Sequence, residues 1–236
     1  MLNKMKALRL SQVNRVPAVS LAVLSIVLIG LTGCASSVTP NYYTLAPRVL
    51  PAQGGATLRV IEVLPVSLPD RLDRPSIMVN TAQGQAKILD NDRWTSSLAT
   101  ELHDSLSSGL QQQLGAVDRY SNGISTTSTV YRIAIDFSRF DIIQSTSPQK
   151  NADVEVEVSW IIKPIDPIQT SSTTKQLIHK PLSCRMTFNQ NVANTATIPD
   201  MVSASKLALS RVTTGISDTV LAVEKGTSQV SNTVCS

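Results

Sequence analysis

Three cysteines and two histidines are the residues of this 236-residue chain best suited to covalent or acid–base chemistry. His103 lies in a serine-rich stretch and His179 beside an apolar run. Neither belongs to an HExxH pair or stands near a cysteine cluster that could ligate a metal. No GxSxG elbow, phosphate-cradling loop or dinucleotide fingerprint occurs. Asp90 and Asp92 are close together, but a solvated turn and a helix N-cap account for them. We therefore assign no catalytic residue, no metal ligand and no cofactor, and rank a binding role well above hydrolysis, the remote alternative.

Cys34 ends a leader with a distinctive pattern. Lys4, Lys6, Arg9 and Arg15 form a basic segment without acids, an apolar run follows, and Leu31-Thr32-Gly33-Cys34 closes it. The run carries Pro17 and Ser20 and is shorter than the roughly 20 apolar residues a spanning helix needs. It resembles a lipobox, in which cleavage before the cysteine exposes a thiol and an amine that both become acylated. Residues 1–33 are then a lipoprotein signal peptide and residues 34–41 a lipidated tether, with diacylglycerol and an N-acyl chain such as palmitate on Cys34. At about 3.4 Å per residue the tether reaches at most about 25 to 30 Å. Ala35 follows Cys34 where an inner-membrane retention signal would usually place Asp, so the expected location is the periplasmic face of the outer membrane.

With Cys34 acylated, Cys184 and Cys235 remain as an even pair in an exported protein. They read as one disulfide closing a loop of about 50 residues. Such a bridge contributes around 4 kcal/mol on the chain-entropy model. Two free thiols are the alternative, and the lack of a CxxC argues against a redox-active pair. Four of the 21 cations lie in the leader, so the rest of the chain is close to neutral. No basic field remains to gather phosphates, and the aromatics are scattered, which excludes nucleic acid as the expected partner.

The elements that position these residues follow from periodicity. Tyr42 to Leu45 has strand propensity, and Thr57 to Val63 mixes faces as a buried core strand would. Leu64 to Pro75 carries three prolines and reads as a long loop. Ile77 to Asn80 and Ala86 to Leu89 form a hairpin through Gln83-Gly84. A helix starts near Trp94 with Asp92 as N-cap, and its leucines recur from Leu98 to Leu114, where Gly115 ends it. Val130 to Phe137, Val154 to Ile162 and Leu182 to Phe188 alternate cleanly, and a last helix runs from the capping signal at Thr197 to Gly226. The expected fold is α+β: one mixed, largely antiparallel sheet of about five or six strands against two long helices, with residues 42–236 as a single domain.

The lipobox, Tyr42-Tyr43-Thr44-Leu45, Leu68-Pro69, Leu72-Asp73-Arg74-Pro75 and Arg93-Trp94, in this order, resemble the PqiC family of ABC-type transport auxiliary lipoproteins. Arg139-Phe140-Asp141 and the strand with Trp160 extend the resemblance over most of the chain. It departs at Asp70-Arg71, where an aromatic often precedes the leucine, and at Thr95-Ser96-Ser97, which replaces a more acidic, proline-containing start. The resemblance implies an outer-membrane accessory role in a transenvelope lipid transport system that supports membrane integrity. There the lipoprotein docks an MCE-domain conduit protein, PqiB-like, and members assemble as homo-oligomeric rings. A domain that itself carries a lipid in an apolar cavity is the alternative.

The loop offers the best partner surface, through Leu68, Pro69, Asp70, Arg71, Asp73 and Arg74. The competing reading is that Asp73 and Arg74 cap neighbouring elements. Tyr42 and Tyr43 fit an edge strand better than a docking patch, and Trp94 and Trp160 fit the core.

Overall fold

A strand that alternates apolar and polar residues must bury one face, and the longest of these, β6 (Val130–Gln144), organises the sheet. The computed structural model describes residues 39–47, 59–81, 83–123, 128–144, 152–166, 180–192 and 197–236. The leader, Cys34, the first two residues of the strand expected from Thr57, and His179 lie outside the described residues. In β6, Tyr131, Ile133, Ile135 and Phe137 point inward, and then Phe140 and Ile142 do. The register shift between Phe137 and Arg139 inserts Ser138 as a bulge and moves the inward face from odd to even positions. The rings of Phe137 and Phe140 meet edge to face across it, 5.7 Å apart.

On one edge β6 pairs antiparallel with β7 (Asp153–Ile165) over nearly its whole length, and β7 pairs antiparallel with β8 (Leu182–Asn191). Val156 stands opposite Phe188, Val158 opposite Met186, Trp160 opposite Cys184 and Ile162 opposite Leu182, all buried. The other edge of β6 is shared. Its first part takes β2 (Arg59–Val63) in parallel, its end takes β3 (Ser76–Thr81) in parallel, and Ser67 bridges to Asp136 between them. β3 forms the expected hairpin with β4 (Ala86–Trp94), turning at Gly84 with φ +83°.

β1 (Asn41–Tyr43) lies parallel to the end of β4, β5 (Ala116–Asp118) parallel to β2, and β9 (Val234–Cys235) antiparallel to β8. The sheet thus has nine strands among the described residues, not five or six. β1 overlaps the strand expected from Tyr42 to Leu45, whereas β5 and β9 are too short to leave an alternation pattern and were hidden from a periodicity reading. The class, α+β with a mixed sheet, is as expected.

Two long helices cover one face. α1 (Leu98–Leu114) buries Leu98, Leu102, Leu106, Leu110 and Leu114, and ends at Gly115 in the left-handed conformation. It starts later than expected. Trp94 ends β4, and Asp92 is held by β1, accepting from Asn41 Nδ2 and Tyr43 OH at 3.1 Å each. It therefore caps nothing. A four-residue α2 (Arg119–Asn122) follows β5. α3 (Ile198–Glu224) has the predicted capping box between Thr197 and Asp200 and lies over β7 and β8. Its Thr219 Oγ1 accepts from Trp160 Nε1 at 3.0 Å. Close packing there depends on Gly215, since a Cβ would meet Met186 Cε at 2.8 Å and the Trp160 ring at 3.3 Å.

Cys184 and Cys235, directly opposite in register, form the expected disulfide. Ser183 and Ser236 exchange both backbone hydrogen bonds beside it, at 3.1 and 2.8 Å, so the cysteines occupy the closer, non-hydrogen-bonded pair of the ladder. Cys235→Ser should lower stability by about 4 kcal/mol on the chain-entropy model, read as a fall in the urea midpoint. A dithiothreitol-treated wild-type protein should match it.

Candidate docking groove and anchor latch

The helix-free face of the sheet carries a groove of about 880 Å³ between the loop after β2 and strands β3, β4, β6 and β7. Its walls mix an apolar row, Met78, Ile88 and Ile143, with charges from Arg71, Arg74, Arg139, Asp141, Asp153 and Glu155. Between β2 and β3, which use the same edge of β6, the chain still follows that edge at Leu64 and Ser67 and leaves it only after Ser67, where the loop brings Arg71 and Arg74 to the groove.

Asp141 fixes that loop. It is buried on β6, and Arg71 grips it bidentately, Nη1 to Oδ1 at 2.7 Å and Nη2 to Oδ2 at 3.1 Å. Asn80 Nδ2 donates to the same Oδ1 at 2.9 Å. Arg74 Nε donates to the Arg71 carbonyl at 2.8 Å, and Arg74 also lines the groove. Asp73 turns the other way: its Oδ1 accepts from Ala99 N at 3.1 Å and caps the first turn of α1. Leu72 is buried, Leu68 and Pro69 are partly buried, and Asp70 is exposed. Of the six loop residues singled out in the sequence, then, Arg71 and Arg74 line the groove, Asp73 is a helix cap, and Asp70 is open to solvent. Across the groove floor Arg139 pairs with Glu155 at 3.0 Å.

A second constellation, missed by the sequence reading, centres on Glu101, buried in α1. Its two oxygens have different partners. Oε2 accepts from Thr44 Oγ1 at 2.9 Å and Leu45 N at 2.8 Å. Oε1 accepts from Thr95 Oγ1 and, at 3.2 Å, from Ser96 Oγ. Burial alone would push this carboxyl up, but the bonds from Thr95, Leu45, Thr44 and Ser96 together hold it below its ordinary value. Ser105 Oγ donates to the Leu45 carbonyl at 2.9 Å, and the Leu45 side chain is buried. The signal was present in the sequence as a run of hydroxyls, Thr95-Ser96-Ser97, a few residues before an acid on a helix, but periodicity does not weigh such short-range partners.

His103 is engaged with its surroundings, Nε2 lying 3.3 Å from the Val63 carbonyl and Nδ1 3.0 Å from Asp104. Among the described residues no three of His, Cys, Asp and Glu cluster as metal ligands would. The arrangement offers an ion-paired groove on the open face, and a buried carboxylate that fastens the segment at Thr44 and Leu45.

A sequence model of the ABC-type transport auxiliary lipoprotein component family matches residues 43–217, from the segment fastened by Glu101 into α3. The chain belongs to this family. Membership makes it an auxiliary component of an ABC-type transport system and a membrane-anchored envelope lipoprotein. The fold is shared with two solved structures. One, described as an uncharacterized protein, superposes with a TM-score of 0.55 at 17% identity, covering 78% of this chain and 99% of that one. The other, XCC0632 from Xanthomonas campestris, assigned to DUF330, gives 0.54 at 18% identity, covering 78% and 97%. Comparison with curated proteins returns no match.

Arg71→Ala should cost about 1–3 kcal/mol, since it leaves the buried Asp141 with Asn80 alone, whereas Arg74→Ala should leave the urea midpoint unchanged. Glu101 and Glu62 both have folded values held down; for Glu62 the hydrogen bond from Arg132 leads and prevails over burial, with Arg119 adding to it. Their stabilisation is therefore full above the usual carboxylate range and disappears as pH falls from about 4.5 through the folded values. Urea midpoints measured downward from pH 6 should fall in that window, and Glu101→Gln should be less stable at pH 7 with a shallower decline.

Proposed function

We propose that this protein is a non-catalytic adaptor of a transenvelope MCE-type lipid transport system, anchored in the outer membrane through acylated Cys34 and docking the end of the periplasmic conduit. The observation that carries this reading is how the incoming chain is built in. Asn41 to Leu45, a few residues after Cys34, is held as an edge strand and fastened to a buried carboxylate. That construction suits a domain that bears load between a membrane and a partner. The family's auxiliary role in transport supports the same reading.

The groove favours a protein partner over a stored lipid. Its walls are ion-paired, while the aliphatic side chains of β6, β7, β8, α1 and α3 are spent on the core. A lipid carrier would instead line a cavity of this size with them. The chemistry asked of the protein is attachment, and it needs no cofactor beyond the covalent acyl chains.

The test is mild-detergent purification of the tagged lipoprotein from its own membranes, with mass spectrometry of proteins and lipids. Recovery of an MCE-domain protein, lost with Arg74→Glu, is the expected result, together with a diacylglyceryl mass on Cys34 and outer-membrane fractionation. Stoichiometric lipid with no such partner would overturn the adaptor in favour of the carrier.

A further inference from the structure

The two oxygens of Glu101 divide their work. Oε2 is bonded only to the segment that leads from the tether, at Thr44 and Leu45, and Oε1 only to the domain, at Thr95 and Ser96. The segment Asn41–Ala46 is otherwise held at the outermost position of the sheet. It makes three parallel pairings with β4, donates from Asn41 and Tyr43 to Asp92, accepts at the Tyr43 carbonyl from Thr95 N at 2.9 Å, and accepts at the Leu45 carbonyl from Ser105 Oγ at 2.9 Å. Leu45 is its one fully buried apolar side chain. Removing an end strand breaks no other ladder, and the carboxylate left behind keeps the hydroxyls of Thr95 and Ser96. The construction therefore has a second state at hand: strap released, remainder folded.

We propose that Asn41–Ala46 is a releasable strap, and that its Glu101 latch sets how far the domain can stand from its membrane anchor. This rests on the anchoring at Cys34 proposed above. With the strap latched, eight residues from Cys34 to Asn41 span at most about 27 Å. With it released, the next sheet residue among the described residues is Arg59. The 25 residues from Cys34 to position 58 then raise that upper bound to about 85 Å. A domain docked on a partner could follow it away from the bilayer without leaving the membrane or unfolding.

The experiment uses the full lipidated protein and two variants that remove strap contacts while leaving the rest of the domain intact, Thr44→Val and Tyr43→Phe. Hydrogen exchange of the Leu45 and Thr95 amides reports the latch, and the β6 to β8 amides report the core. Separately, a fluorescent amino acid in place of the exposed Lys206 reports distance to an acceptor lipid in phosphatidylethanolamine and phosphatidylglycerol vesicles. The expected result is that the two latch amides exchange faster than the core in the wild type. They should accelerate about tenfold in Thr44→Val, the loss of one hydrogen bond to a charged group. Core exchange should stay unchanged, and energy transfer to the bilayer should fall in both variants. Strap and core exchanging in a single event, or energy transfer unchanged while latch exchange accelerates, would overturn the proposal. Failure of the wild type to associate with vesicles would overturn the anchoring reading and the reach derived from it, and the exchange data distinguish that case from a latch that does not open.

Discussion

Everything in this sheet answers to one demand, that β6 remain apolar on a single face across 15 residues while serving different neighbours along its edge. An unbroken period of two would hold one parity throughout. The bulge at Ser138 resets it, so that Phe137 and Phe140 both point under the helices. The second half of the strand can then receive β3 while the first half receives β2. The chain between β2 and β3 stays on the edge of β6 as far as Ser67 and then leaves it, and its Arg71 and Arg74 form part of the groove wall.

Three buried carboxylates secure the parts of the chain that regular structure does not. Asp141 holds the displaced loop through Arg71. Glu101 holds the incoming chain. Asp118, between β5 and α2, accepts from Tyr120 N, Val63 N and Ser107 Oγ, at 3.0, 3.3 and 2.6 Å. A desolvated carboxylate is costly unless several donors surround it. Each of these gathers its donors from two or more distant segments, so satisfying the charge also fixes the tertiary arrangement. The apolar stripes determine which faces meet, and the carboxylates determine how the irregular segments lie between them.

This division explains what the sequence revealed. Strands with Val154, Val156 and Val158, the leucine helix and the Thr197 capping box are repeated local patterns, and all were legible. The pairing of Cys184 with Cys235 followed from counting. Asp92 misled, because an acid before an apolar run looks like an N-cap, and only the arrival of Asn41 and Tyr43 from some 50 residues away turns it into a strand residue. Asp141 was passed over for the same reason, its partner Arg71 lying 70 residues away, and Glu101 in part, since Leu45 is 56 residues off while Thr95 and Ser96 are near neighbours that periodicity does not weigh. Short strands such as β5 and β9 borrow their order from neighbours and carry no pattern of their own.

The disulfide has a meaning beyond its entropic staple. β8 lies near the end of the strand order, and β9 pairs with only Cys184 and Arg185 of it. An edge with open amides is a template on which another chain can add a strand. The covalent link pins the segment from Val234 to Ser236 onto that edge, with Ser236 bonded to Ser183. A molecule that folds before oxidation presents a longer bare edge to its neighbours. The disulfide thus covers part of an edge as well as closing a loop, and the order of folding and oxidation decides how long that part stays bare.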